Sequence, residues 1–196
     1  MDQTLLPQPI KSVCVYCGSS PTAGPNYLAL AASVGCAIAA RGWRLVYGGG
    51  GLGLMGASAL AAHGAGGDVL GILPRFLETR EPPPAHIETR RVDTMHERKM
   101  MMFELSDAFL VLPGGIGTLE EVVETLSWRR LGLHTKPTVF VDKMFWGPFI
   151  GSLDHLVAEN FAPPVFKESY ALADNAEEAL CALEEGHALK ALARRA

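Results

Sequence analysis

The chain reads as an α/β protein with a doubly wound, Rossmann-like parallel sheet and helices on both of its faces. Three observations predict this class. Apolar runs alternate with helix-period segments along the chain. Several runs, Phe109-Leu110-Val111-Leu112 above all, are apolar without alternation, as strands covered on both faces are. Three of the turns that follow such runs are rich in small residues, where an open α/β sheet places its ligands.

The elements follow in order. Ser12–Cys17 is the first strand, closed by Gly18, and Tyr27–Arg41 the first helix, stopped before Gly42. Arg44–Tyr47 runs into four glycines, and the small-residue helix Leu54–His63 starts after them. Asp68–Leu73 is a strand ended by Pro74, and Ile87–Val92 is the next. Thr94 and Glu97 have capping-box spacing and open a helix over Met95–Leu105. Ala108–Leu112 is the most apolar strand. Leu119–Leu131 is amphipathic and stops at Gly132. Strand Thr138–Val141 and helices Pro148–Glu159 and Ala176–Leu192 complete the pattern. The least regular stretch, Pro74 to His86 with Pro82-Pro83-Pro84, reads equally as a binding loop or a surface crossover.

At 196 residues the chain suits one domain over 1–196, with 1–10 as a flexible tail. Its 48% hydrophobic and 19% charged residues exclude disorder. A net charge of -4, with no basic run longer than an arginine pair such as Arg194 and Arg195, argues against a groove for nucleic acid. No run approaches the ~18 apolar residues of a membrane span. Met1 to Pro9 carries Asp2 where a secretory signal has basic residues, so a cytoplasmic location with free thiols is expected. Cys14 and Cys17 lie three apart in a strand and point to opposite faces, so neither redox nor metal chemistry is expected of them.

The first turn, Cys17-Gly18-Ser19-Ser20, offers close backbone and hydroxyls. The second, Gly48 to Gly56, contains G-x-G-x-x-G at Gly51, Gly53 and Gly56. It follows the second strand, and the next strand ends Leu73-Pro74-Arg75 without the acid that holds a ribose hydroxyl. NAD is therefore disfavoured, although Arg75 leaves NADP open. The third turn, Pro113-Gly114-Gly115-Ile116-Gly117-Thr118, opens a helix whose N-terminal amides and dipole suit a phosphate. No lysine follows the last glycine, so it is not a Walker loop.

Thr118 and Glu121 also have capping-box spacing, which gives Glu121 a structural reading beside a functional one. On the helix wheel Leu119, Val122, Val123 and Leu126 form the core stripe. Glu121 then falls on the other side with Thr125 and Trp128, a face expected to be covered by a ligand or a partner subunit. Arg98 sits within the apolar stripe Met95, Met101, Met102 and Leu105. A guanidinium there needs a ligand or a site carboxylate; the other readings are a structural ion pair and a side chain that snorkels out. Lys99 flanks the stripe, and His96 lies on the polar side.

Four motifs in this order resemble the Lonely Guy (LOG) family, the cytokinin riboside 5′-monophosphate phosphoribohydrolases. They are Val15-Tyr16-Cys17-Gly18-Ser19-Ser20, Tyr47-Gly48-Gly49-Gly50 through Gly56, Met95-His96-Glu97-Arg98-Lys99 and Pro113 to Glu121. Trp128, Leu131-Gly132-Leu133-His134 and Lys136-Pro137 continue the likeness. The resemblance implies a hydrolase that cuts the N-glycosidic bond of AMP or N6-prenylated AMP, leaving free base and ribose 5-phosphate. It implies Arg98 and Glu121 as catalytic. Substrate and phosphate would be held by Gly18, Ser19, Gly49, Gly50, Glu81, Met95, Lys99, Gly114, Gly115, Gly117, Thr118, Glu120 and Ser127, the last standing where a threonine is common. It implies no cofactor and no metal, and a homodimer. Family members have been labelled lysine decarboxylases, but no lysine here has a recognisable pyridoxal-phosphate setting. The rival readings are a non-catalytic nucleotide or cofactor carrier, which needs Gly114–Thr118 but not Glu121, and a nucleotide-linked dehydrogenase.

Overall fold

A computed structural model describes residues 9–193. Of the expected tail, 1–8 lie outside the described residues, while Ile10 is buried in the core. The elements run β1 (Ser12–Tyr16), α1 (Pro25–Ala40), β2 (Arg44–Tyr47), α2 (Gly53–Gly64), β3 (Val69–Pro74), β4 (Glu88–Val92) and α3 (Met95–Glu104). They continue with β5 (Ala108–Val111), α4 (Ile116–Arg130), β6 (Thr138–Val141), α5 (Lys143–Ala158), β7 (Ala171–Ala173) and α6 (Ala176–Ala193). Short 3-10 helices lie at Arg75–Leu77 and Pro164–Ser169.

The seven strands among the described residues are all parallel, in the order β4-β3-β2-β1-β5-β6-β7. The doubly wound prediction holds. Alternate strand residues feed two cores. Val13, Val15, Leu45 and Tyr47 pack with α1, α2 and α6; Cys14, Tyr16, Val46 and Phe109 pack with α3, α4 and α5. Cys14 and Cys17 fall in different cores, as their spacing requires. α1 and α2 cross at Gly35, where a Cβ would stand 2.1 Å from the Ser58 carbonyl oxygen. Among the described residues, no helix is long and apolar enough to cross a membrane.

Four departures from the sequence reading have physical causes. β7 is only three residues long, too short to show a pattern. α5 starts at Lys143, five residues before Pro148, because Asp142 in the left-handed region (φ 80°) accepts a hydrogen bond from the Phe145 N–H at 3.0 Å. Pro148 is tolerated inside, on an exposed stretch. α4 starts at Ile116, three residues before the expected Leu119, with Gly115 as its cap. Finally, Val123 is 48% exposed, whereas Glu121 and Thr125 are buried with Val122 and Leu126. The face of α4 that holds Glu121 is therefore turned into the protein.

Candidate active site

β1 leads away through β2, β3 and β4, and β5 leads the other way through β6 and β7. Their C-terminal ends thus form the switch point of the sheet, where the first and third turns meet. The Gly18 N–H donates to the Pro113 carbonyl at 3.0 Å, and the Leu54 N–H donates to the Gly18 carbonyl at 2.9 Å. A cleft of about 170 Å³ opens beside them between Tyr27, Leu54, Gly114 and Phe145. A roomier cavity of about 650 Å³ is lined by Arg129, Thr138, Phe166 and Tyr170 instead. Neither a glycine turn nor the Arg98–Glu121 pair is among its walls, so size does not decide the site.

The third turn presents amides without helical acceptors. The Leu119 N–H is bonded to the Gly115 carbonyl at 3.0 Å. The amides of Ile116, Gly117 and Thr118 precede it in the first turn of α4, where no helical acceptor exists. Thr118 is not the cap; no side-chain cap bond forms, and the expected capping box with Glu121 is absent because the helix has already begun. Instead Thr118 is buried against Gly114, where a Cβ would come within 2.1 Å of its Oγ1. Built Cβ atoms at Gly115 and Gly117 meet nothing within 4 Å. Gly117→Val should therefore fold normally and lose nucleotide affinity by about tenfold or more, since the valine would occupy the space in front of the amides. Calorimetric titration with AMP checks this; unchanged affinity would place the phosphate elsewhere.

The second turn passes under Arg98. A Cβ at Gly48 would stand 1.9 Å from Arg98 Nη2 and 2.9 Å from Met55 Sδ. Gly49 has φ +85° and lies against Leu73. Gly50 lies under Glu81, whose carboxylate accepts from the Ser19 hydroxyl at 2.7 Å. The Gly51 N–H donates to the Pro82 carbonyl at 2.9 Å. The irregular Pro74–His86 stretch is thus a loop docked on the glycine turn, and it brings Glu81 to Ser19.

The capping box of Thr94 and Glu97 forms as expected, with the Glu97 N–H donating to Thr94 Oγ1 at 3.1 Å. It starts α3 so that Arg98 points inward and is buried. Arg98 Nη2 lies 3.5 Å from Glu121 Oε1, both side chains 8% exposed. Nη1 reaches the sulfur of Met95 at 3.9 Å, and Nε has no acceptor among the described residues. Burial pushes the Glu121 carboxyl up to about 7, against the opposing pull of Arg98. Lys99 binds Glu120 and reaches Glu124 at 2.9 Å, tying α3 to α4.

Most of the residues expected from the sequence are therefore brought together. Ser127 is not: it is exposed, on a different side of α4 from Glu121. Trp128 is covered from within, its ring edge-on to Phe103 at 4.9 Å. Arg75, the residue that left NADP open, pairs with Asp93 at 3.2 Å. Sequence reasoning missed Gly48 as the bed of Arg98, and Glu124 as a second partner of Lys99. Only the i, i+4 spacing of Glu120 and Glu124 hinted at the latter.

A family model described as "Possible lysine decarboxylase" matches residues 55–183. A cytokinin riboside 5′-monophosphate phosphoribohydrolase of Rhodococcoides fascians is 43% identical over 177 residues, 88% of this chain and 89% of that one. The protein of the same name from Mycobacterium tuberculosis is 45% identical over 173 residues, 86% of this chain and 91% of that one. The chain belongs to the LOG family. LOG relatives extend to rice, where the enzyme itself named LOG is 40% identical over 177 residues, 89% of this chain and 73% of that one. The fold of this LOG chain is shared more widely. The molybdenum cofactor binding protein of Rippkaea orientalis superposes with a TM-score of 0.69 at 22% identity, covering 89% of this chain and 96% of that one. At that identity the likeness concerns fold alone.

Proposed function

We propose that this chain hydrolyses the N-glycosidic bond of a nucleoside 5′-monophosphate of the adenine type, AMP or N6-prenyl-AMP, releasing free base and ribose 5-phosphate. One observation carries the reading. A buried arginine with an unused Nε faces a buried carboxylate, one turn from a row of helix N-terminal amides. The amides of Ile116, Gly117 and Thr118 hold the phosphate and so position the sugar. As the glycosidic bond breaks, positive charge grows on the ribose and negative charge on the purine. The Glu121 carboxylate stabilises the cation and takes a proton from the attacking water. Arg98 offsets negative charge on substrate or leaving base; its guanidinium is too weak an acid to give up a proton. Glu81 and Ser19 border the same space.

Incubation with AMP, N6-prenyl-AMP and the corresponding nucleosides, followed by chromatography for free base, tests the reading. Base release from the nucleotides, and little from the nucleosides, is expected. Equal turnover of nucleoside and nucleotide would remove the phosphate anchor, and binding without any release would leave a carrier.

The working form is a homodimer. Since Trp128 is covered by Phe103, support for it comes from another surface. Ile116, Val123 and Leu131, spaced seven and eight residues apart, form an exposed apolar ridge along α4, 84%, 48% and 64% accessible. A second copy on that ridge would border the phosphate turn. Light scattering should give twice the chain mass, and Val123→Lys should shift the equilibrium toward monomer. A monomer at every practical concentration would contradict this.

A further inference from the structure

One turn beyond Glu121 lies a buried polar chain that none of the preceding roles uses. Thr125 follows Glu121 by one helical turn and is 2% exposed. Its Oγ1 lies 3.0 Å from the Glu121 carbonyl oxygen and 3.2 Å from the Tyr16 hydroxyl. A carbonyl only accepts, so the single Thr125 hydroxyl proton is committed to Glu121, and Tyr16 must donate to Thr125. The Thr125 carbonyl in turn lies 2.9 Å from His134 Nε2. The Lys136 N–H donates to His134 Nδ1 at 3.2 Å, so that nitrogen carries no proton, and Nε2 carries the one it gives to Thr125. Two successive carbonyls on one side of α4 therefore each take a donor beyond the helix's own. One donor is the Thr125 hydroxyl, held by Tyr16 of β1; the other comes from the loop after α4. Tyr16 itself is fixed, stacked on Phe109 of β5 at 5.6 Å between centroids.

A threonine that bonds back to the carbonyl four residues earlier adds a second donor to that carbonyl and adjusts the local helix geometry. That bond spans Glu121 to Thr125, between the amides of the phosphate turn and the rest of α4, and ends on the residue that carries the carboxylate. We propose that Thr125, anchored by Tyr16 and His134, is a positioning residue that sets the Glu121 carboxylate relative to the phosphate turn and to Arg98. The role rests on the hydrolase reading. Thr125 never touches substrate; it acts through the backbone of Glu121. Its loss displaces the carboxylate by a fraction of an ångström, which slows the chemical step and leaves phosphate binding alone.

The test uses Thr125→Val, Thr125→Ser, Tyr16→Phe and the double variant Tyr16→Phe/Thr125→Val in the full chain, with kcat and KM for AMP-type substrate beside thermal melts. Thr125→Val keeps the side-chain shape, removes the hydroxyl and takes from the Tyr16 hydroxyl its acceptor on α4. It should lower kcat about 10–100-fold with KM changed less than about twofold, because the phosphate amides are untouched. Thr125→Ser should recover most of the lost kcat. The double variant separates positioning from stability: removing both partners restores the melting temperature but leaves kcat low. A kcat that returns together with the melting temperature in the double variant, or a Thr125→Val protein with more than half the wild-type kcat, overturns the positioning role. If Thr125→Val does not fold, Tyr16→Phe, which retains the Thr125 bond to Glu121, must still show a lowered kcat at unchanged KM or the role falls. A folded wild-type chain that releases no base from any nucleoside 5′-monophosphate refutes the hydrolase reading instead, and this role with it.

Discussion

Glu121→Gln should leave a folded protein that binds nucleotide and turns it over about 10²–10⁴-fold more slowly, the range of a lost acid–base group. The bland explanation for this residue has gone, since Gly115 caps α4 and the Glu121 side chain returns no bond to Thr118. Stability should change little because two effects oppose. The wild-type carboxyl has a folded pKa of about 7 against an ordinary 4.5. The folded state then holds a proton that the unfolded chain has lost between those values, so stability from this group falls as pH rises through that window, by roughly 3 kcal/mol. Glutamine removes that loss. It also leaves Arg98 facing an amide oxygen where a carboxylate had been. The same raised pKa sets the acid limb of the wild-type profile. On the proposed mechanism only ionised Glu121 serves the ribose cation, so kcat/KM should climb as pH rises toward about 7 and level off above it. Turnover, AMP affinity and melting temperature measured on one Glu121→Gln preparation decide the matter. Retained turnover would require another base.

Gly48→Ala should be nearly as damaging without touching a reacting group. Its new methyl would stand 1.9 Å from Arg98 Nη2. The clash is with the tip of a long side chain, so the backbone need not move and the protein should fold. Arg98 must leave its place 3.5 Å from Glu121, and a loss of about 10²-fold in kcat/KM is expected from that displacement. The control is Arg98→Ala, which should show a loss at least as large. Combining the two should add little, because each removes the same guanidinium from the same place. Additive losses would show that Gly48 acts in some way other than as the bed of Arg98.

Much of this arrangement was legible in the chain. Unbroken runs such as Phe109 to Leu112 announced buried strands, and the chemistry of Thr94 and Glu97 announced the start of α3, so the burial of Arg98 followed from its position on the wheel. The face of Glu121 did not follow. The wheel assigned Val123 to the core on hydrophobicity, yet the end of the sheet offers hydrogen-bonding partners, and Thr125 turns inward to Tyr16. A polar residue with a buried partner far along the chain looks, locally, like a surface residue. The start of α4 was hidden for a different reason: glycines at 115 and 117 carry no helical signal, although Gly115 caps the helix and Gly117 lies in its first turn. Glu81 was identifiable from its family resemblance alone, because a loop with three consecutive prolines has no period to read.

The β1–β5 pairing has a temporal side. Val13 lies opposite Ala108 and Tyr16 opposite Val111, so this register joins stretches almost a hundred residues apart. Each flank of the sheet consists of neighbours close in sequence, which zip early, whereas this central seam must close a long loop before any contact rewards it. The first and third turns face each other only across that seam. A chain with this seam open has the amides of Ile116 to Thr118, which are local to α4, but not the first turn that faces them. On the proposed binding mode, a nucleotide held by Ser19 and the amides of α4 would reach across the closed seam and make reopening rarer by simple mass action. Substrate would then serve as a clasp on the join of longest sequence separation in the sheet.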